Sequence, residues 1–390
     1  MSAMDDFAEQ MAQWRTQGQY RQLSMMQHDG IYVWTDQRRL LNLSGNDYLG
    51  LAGDTALRER FWAETGGRYA LGSASSRLLT GNDDTMTALE HKLAQAYGGR
   101  AALLFNSGYH ANSGILPAIC DRNTVILADK LVHASLIDGM RLSAARFVRY
   151  RHQDNLHLRQ LLARFADESH VKRIIVVTES IFSMDGDVTD LRQLVSLKRD
   201  YPQVMLYVDE AHAVGVRGNQ GLGCAEEQGV LNQIDILVGT FGKALASMGA
   251  YVICHPILRE YLINTARPLI FSTALPPVNW AWSGFVWTHV VTMQSQRQHL
   301  KTVGQQLRAA VALLAPHASG SHIVPIMVGD SAAAVAKAKR LAAAGFSVMA
   351  VRPPTVPARS ARLRISLNSQ IQWAHLTPLL ALLADNAGGR

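Results

Sequence analysis

Short apolar runs separated by stretches of helical periodicity set the pattern of this chain. Ala101–Phe105, Thr124–Ala128, Ile174–Val177, Val204–Val208, Ile236–Val238 and Ala250–Cys254 are almost continuously apolar. Strands covered on both faces of a mainly parallel sheet have this character. Between the runs, Met86, Leu89, Leu93 and Tyr97 recur at helical spacing, and Leu158, Leu161, Leu162 and Phe165 do so after Asp154, a candidate N-cap. The alternation predicts an α/β domain over residues 42–277. An arm, residues 1–41, precedes it, with a helix near Asp5–Gln17 and a strand pair at Ile31–Trp34 and Leu40–Leu43. After Pro276-Pro277 a segment of helical composition runs to about Leu314. Strands at Ile323–Val328, Phe346–Val351 and Arg362–Leu367, with a helix from Asp330 or Ser331 to Ala344 ended by Gly345, then predict a smaller α+β domain, residues 278–390.

Composition narrows the class. A chain of 390 residues with 48% hydrophobic and 18% charged residues can bury a large core and is expected to be globular. No apolar run approaches the roughly 20 residues that cross a bilayer, so no membrane partner is expected. The start of the chain carries Asp5 and Asp6 where a targeting signal would carry basic residues, which predicts a cytoplasmic protein. Cys120, Cys224 and Cys254 are too few and too widely spaced for a disulfide framework or a zinc site and are expected to be buried. The formal charge of +7 favours an acidic partner, which could be nucleic acid, a phosphorylated ligand or a carrier protein. No motif supports nucleic acid.

Chemistry enters where apolar strands end in polar residues, since open α/β sheets bind ligands at that edge. Gly108, in Asn106-Ser107-Gly108-Tyr109, can open a helix whose free amides face a phosphate. His133 follows the strand at Thr124–Ala128 and can stack on an aromatic cofactor or serve as an acid, although a capping role is the commoner one for a histidine there. Asp185-Gly186-Asp187 lacks the ligand pattern of a calcium loop, and no metal is expected. Asp209-Glu210-Ala211-His212 resembles the magnesium box of an ATPase, but the phosphate loop that such an enzyme needs is missing, since Gly242-Lys243 is followed by Ala244. A lysine after a strand is by itself more often a solvated loop residue. Lys243 with Asp209, however, suits pyridoxal phosphate: the lysine can form a Schiff base with an aldehyde, and the carboxylate can keep the pyridine nitrogen protonated. His212 can reach the ring's phenolic oxygen, and Thr240 the phosphate.

These motifs, with Asp129–Ser135 and Phe182–Asp187, closely resemble the α-oxoamine synthases, fold-type I pyridoxal-phosphate transferases, from Asn46-Asp47-Tyr48-Leu49-Gly50 to Leu367. The resemblance implies an α/β fold with a mainly parallel large-domain sheet, a smaller C-terminal α+β domain, and decarboxylative condensation of an amino acid with an acyl thioester. Val351-Arg352-Pro353-Pro354-Thr355-Val356-Pro357 and Ala361-Arg362-Leu363-Arg364 resemble the branch that joins L-alanine to a pimeloyl thioester for biotin. The carrier could be acyl carrier protein or coenzyme A, and a glycine-using 2-amino-3-ketobutyrate CoA ligase is the alternative. The family pattern further implies pyridoxal 5'-phosphate on Lys243, contacted by Gly108, Tyr109, His133, Ser183, Asp209, His212 and Thr240. Lys243, His133 and Asp209 would be catalytic. Ser272 and Thr273 would reach the partner subunit's phosphate in a homodimer with shared sites. Arg21, Asn46, His133, Thr355 and Arg364 would contact substrate, Arg364 taking the carboxylate.

Overall fold

The computed structural model describes residues 3–312 and 320–384. By internal contacts the chain divides into a larger unit, Asp54–Phe182 with Val188–Arg297, and a smaller unit, Met1–Gly53 with Ser183–Asp187 and Gln298–Arg390. This grouping differs from linear boundaries after residues 41 and 277. The segment up to Gly53 joins the C-terminal residues, and the helix Pro277–Val291 belongs to the larger unit, where it packs on the helix Asp84–Ala96.

Seven strands form the sheet of the larger unit: β1 (Ala101–Phe105), β2 (Thr124–Asp129), β3 (Arg146–Tyr150), β4 (Arg173–Glu179), β5 (Val204–Asp209), β6 (Ile236–Thr240) and β7 (Ala250–Cys254). Their order is β1-β7-β6-β5-β4-β2-β3. β7 runs antiparallel to both β1 and β6, and the other neighbouring pairs are parallel. Leu103, Ile126, Ile175, Tyr207, Val238 and Val252 belong to one buried cluster, which is why these strands read as apolar runs. The parallel neighbours β6, β5, β4 and β2 end in Thr240, Asp209, Glu179 and Asp129, all buried. Four polar groups thus line one edge of the sheet.

β3 was not anticipated. Arg146, Phe147 and Arg149 are exposed at the sheet margin, so the strand has neither a continuous apolar run nor a clean alternation. Asp154 caps the helix Asn155–Ala166 as expected, its Oδ1 accepting from the His157 amide at 2.8 Å. All three cysteines are free and buried, and burial pushes the Cys120 and Cys254 thiols up to about 12.

Helices Gly108–Ile119 and Ala134–Leu142 meet at Gly139, where a Cβ would lie 2.4 Å from the Asn112 carbonyl oxygen. No side chain fits. Gly139→Ala is expected to destabilise the larger unit by about 1–3 kcal/mol through overpacking, measured by denaturant unfolding. An unchanged midpoint would count against the close approach.

In the smaller unit, Tyr32–Thr35 and Arg38–Asn42 form the anticipated antiparallel pair, flanked by Gln27–Asp29 and by Phe346–Ser347, which pairs in parallel with Leu41 and Asn42. Ile323–Gly329, Ala361–Ser366 and Met349–Val351 make a second sheet. The single strand expected over Phe346–Val351 is therefore two strands in different sheets. The Ser347 carbonyl is taken up by the Leu43 amide and the Ser44 hydroxyl, and from Met349 the chain pairs with Arg362–Arg364 instead.

The helical stretch expected to reach about Leu314 is broken into Pro277–Val291 and Gln294–Ala310, and Leu314 itself lies outside the described residues. Buried Arg297 explains the break by donating to the carbonyls of Val290 (2.7 Å) and Val291 (3.1 Å), which ends the first helix. Among the described residues no helix is long and apolar enough to cross a membrane.

Candidate active site

Asp209 closes β5 and is only 6% exposed. Its Oδ1 accepts from the Ala211 amide at 2.9 Å and its Oδ2 from Asn112 Nδ2 at 2.7 Å. Neither oxygen is paired with a lysine or arginine among the described residues. A buried carboxylate served only by neutral donors gains strongly from an added cation. The next residue, Glu210, fixes the turn that follows. Its carboxyl group accepts from the amides of Cys224 (2.9 Å) and Ala225 (2.7 Å), and burial pushes its pKa up to about 7.

Lys243 lies three residues beyond the end of β6, with its Nζ 2.8 Å from His212 Nε2. Thr240, the last residue of β6, donates its hydroxyl to the Gly249 carbonyl (3.0 Å) and accepts from the Gly242 amide (3.1 Å). Gly108 opens the helix after β1, and a Cβ there would sit 4.0 Å from Thr240 Cβ. Ser107 caps this helix through the His110 amide at 3.2 Å, which leaves the earlier amides of Gly108 and Tyr109 outside the intrahelical ladder. The Tyr109 side chain turns outward, 48% exposed, and bonds Asp138. Asn106 Nδ2 donates to the Thr273 carbonyl at 2.7 Å, so Ser272 and Thr273 lie beside the end of β1.

His133 caps the helix Ala134–Leu142, its Nδ1 accepting from the Ser135 amide at 3.2 Å. Burial pushes its pKa down and Lys243 adds to this, while Asp209 and Asp138 oppose it. His133, Asp209 and Lys243 therefore share one electrostatic neighbourhood. Glu179, at the end of β4, belongs to it too. Its pKa is raised well above the ordinary carboxylate range by burial and by Asp209, against Lys243 and the His133 amide. Glu179 Oε1 is buried and has no hydrogen-bond partner among the described residues, which a neutral acid tolerates better than a carboxylate.

The smaller unit holds the remaining candidates. Arg364, 6% exposed, donates through Nε to the Ser183 carbonyl (2.6 Å), through Nη1 to Ser366 Oγ (2.6 Å), and through Nη2 to Asn46 Oδ1 (3.2 Å) and the Tyr48 hydroxyl (3.4 Å). Every one of these partners is neutral, whereas nearby Arg362 has Asp185. Arg364, Asn46 and Ser183 are thus brought together. Arg21 and Thr355 form a second, exposed pair, with Arg21 Nη2 3.2 Å from Thr355 Oγ1.

Sequence reasoning gave no role to Asn112, Ser135, Glu179 or Tyr48. Glu179 could have been found, because it ends an apolar strand as Asp209 does. The other three are defined by contacts with residues distant in the chain and carry no local signal.

The donor set of the larger unit fits pyridoxal 5'-phosphate. It offers a primary amine at Lys243, a buried carboxylate without a cation for a protonated ring nitrogen, and helix-start amides next to Thr240 for a phosphate.

Comparison with known proteins points the same way. The profile of the aminotransferase class I and II family matches residues 38–381. The 8-amino-7-oxononanoate synthase of Haemophilus ducreyi is 50% identical over 389 residues, covering 97% of this chain and 100% of that protein. A Pasteurella multocida protein, provisionally given the same name, is 53% identical over 384 residues, covering 98% and 99%. Among solved structures, the serine palmitoyltransferase of Sphingomonas wittichii is 28% identical with a TM-score of 0.87, covering 99% of this chain and 98% of that one. The 8-amino-7-oxononanoate synthase of Francisella tularensis is 28% identical with a TM-score of 0.75, covering 89% and 98%. The protein belongs to the class I and II aminotransferase family and, within it, to the pyridoxal 5'-phosphate enzymes that include the 8-amino-7-oxononanoate synthases.

Proposed function

We propose that the protein condenses L-alanine with a pimeloyl thioester, releasing carbon dioxide and the free carrier and giving 8-amino-7-oxononanoate for biotin. The observation that carries this reading is the buried Asp209 carboxylate with neutral partners in the same neighbourhood as Lys243 and His133. The relatives of that name, half identical over nearly the whole chain, support the choice of substrates. When bound, pyridoxal phosphate supplies an aldehyde for the amino group and an electron sink for the α-carbon.

The chain's own residues divide the remaining work. Asp209 holds positive charge on the ring nitrogen. Thr240 and the amides of Gly108 and Tyr109 bind the phosphate, while His212 and Ser183 hold the ring. Lys243, as a free amine, takes the alanine α-proton and returns one to the same carbon after carbon dioxide has left. His133 hydrogen-bonds the reacting groups. Arg364 takes the alanine carboxylate, a planar match for its guanidinium, with Asn46, Arg21 and Thr355 on the substrate side. Ser272 and Thr273 serve the phosphate of the partner subunit in a homodimer.

The test compares L-alanine, glycine and L-serine with pimeloyl thioesters of acyl carrier protein and of coenzyme A in steady-state turnover. Turnover with L-alanine is expected on at least one carrier, and turnover with glycine or serine alone would overturn the assignment. Arg364→Ala should raise KM for alanine by on the order of 100-fold with the cofactor spectrum unchanged, since its guanidinium has no anion of its own to release.

A further inference from the structure

The proton positions in one buried cluster of the larger unit can be counted. Asn112 and Ser135, each 1% exposed, face each other across the two helices that touch at Gly139. Asp209 Oδ2, which as a carboxylate oxygen can only accept, fixes which end of the Asn112 amide carries the protons, and the Tyr207 hydroxyl donates to the other end, Asn112 Oδ1, at 2.8 Å. Both protons of Asn112 Nδ2 are then used, one toward Asp209 Oδ2 (2.7 Å) and one toward Ser135 Oγ (2.9 Å). Ser135 Oγ, already accepting, has a single proton left, and His133 Nδ1 lies 2.8 Å away. The Ser135 amide points at the same nitrogen. A ring nitrogen that accepts two hydrogen bonds carries no proton, so a neutral His133 carries its proton on Nε2. Burial, reinforced by Lys243, favours that neutral ring over the raising effect of Asp209 and Asp138.

We propose that Ser135 and Asn112 are positioning residues for the condensation: they hold His133 as its Nε2–H tautomer and tie it to the amide that orients Asp209. One buried relay thereby sets both the donor offered to the reacting groups and the carboxylate that faces the ring nitrogen. The proposal rests on the reading that His133 serves the reacting groups. Without the Ser135 hydroxyl, only the longer bond from the Ser135 amide still holds Nδ1 unprotonated, and the ring moves its proton to Nδ1 more readily, presenting a lone pair where a donor is needed.

The experiment measures kcat and KM per bound cofactor for Ser135→Ala, His133→Asn and the double variant. Ser135→Ala is expected to keep the cofactor absorption and KM for alanine within about threefold while kcat falls about 10- to 100-fold, the sign of a misplaced tautomer. In the His133→Asn background the same change should have almost no further effect, because its route to the reaction is gone. A kcat for Ser135→Ala within twofold of the parent would overturn the proposal. So would an equal loss in both backgrounds, which is what a purely structural serine produces. An unaffected His133→Asn would remove the reading of His133 itself and the relay with it, whereas a slow His133→Asn beside an unaffected Ser135→Ala would remove the relay alone.

Discussion

Lys243→Ala is expected to lower kcat by at least about 10³-fold, since in the proposed mechanism it removes both the amine that anchors the cofactor and the base that moves the α-proton. His212 Nε2 lies 2.8 Å from the lysine nitrogen but cannot supply a primary amine. Three measurements check the result. Turnover should be nearly abolished, borohydride should no longer fix the cofactor to the protein, and added methylamine should restore part of the rate by replacing the lost base. A variant that retained a tenth of the parental rate would remove Lys243 from the mechanism.

The second large effect is expected at Asp209→Asn, with kcat down on the order of 10²- to 10³-fold from the loss of one preorganised charge. The substitution keeps one oxygen, which can still accept from Asn112 Nδ2 (2.7 Å from Oδ2), but turns an NH2 toward the Ala211 amide that Oδ1 serves, so it removes the charge and one hydrogen bond with little change of shape. A second signature follows from the same neighbourhood. Because Asp209 helps to raise the Glu179 pKa, its neutralisation should bring Glu179 back toward the ordinary carboxylate range, although burial still holds it up. Steady-state kinetics read the first effect, and the pH dependence of the Glu179 carboxyl signal, followed by infrared or carbon NMR spectroscopy against a Glu179→Gln control, reads the second. A kcat within threefold of the parent would mean that the ring nitrogen draws its charge from elsewhere.

The layout of the larger unit was legible because its central strands are buried on both faces. Runs such as Ile174–Val177 have to be continuously apolar there. Arg146–Tyr150 escaped notice because a marginal strand exposed at Arg146, Phe147 and Arg149 satisfies no such rule. Phe346–Val351 misled for another reason: local pattern reports extended backbone, whereas the change of sheet at Val348 is decided by which partner still has free hydrogen-bonding groups. Lys243, Asp209, His212 and Thr240 stand out in the sequence as candidates because the proposed chemistry restricts residue type at each position. Asn112 and Ser135 do not, since an asparagine or serine on a helix is unremarkable until two helices touch and bring them together.

One element of the sheet also governs how the site is assembled in time. β1, which is followed by Gly108 and Tyr109, has β7 as its only neighbour in the sheet among the described residues. During synthesis it must therefore wait, unpaired, until Cys254 has left the ribosome, while β2 to β6 can pair progressively. Contacts so distant in sequence form late and slowly. The amides of Gly108 and Tyr109, proposed to bind the phosphate, are accordingly expected to be among the last parts of the larger unit to reach their place, so a chain released before β7 should gain little from cofactor during refolding.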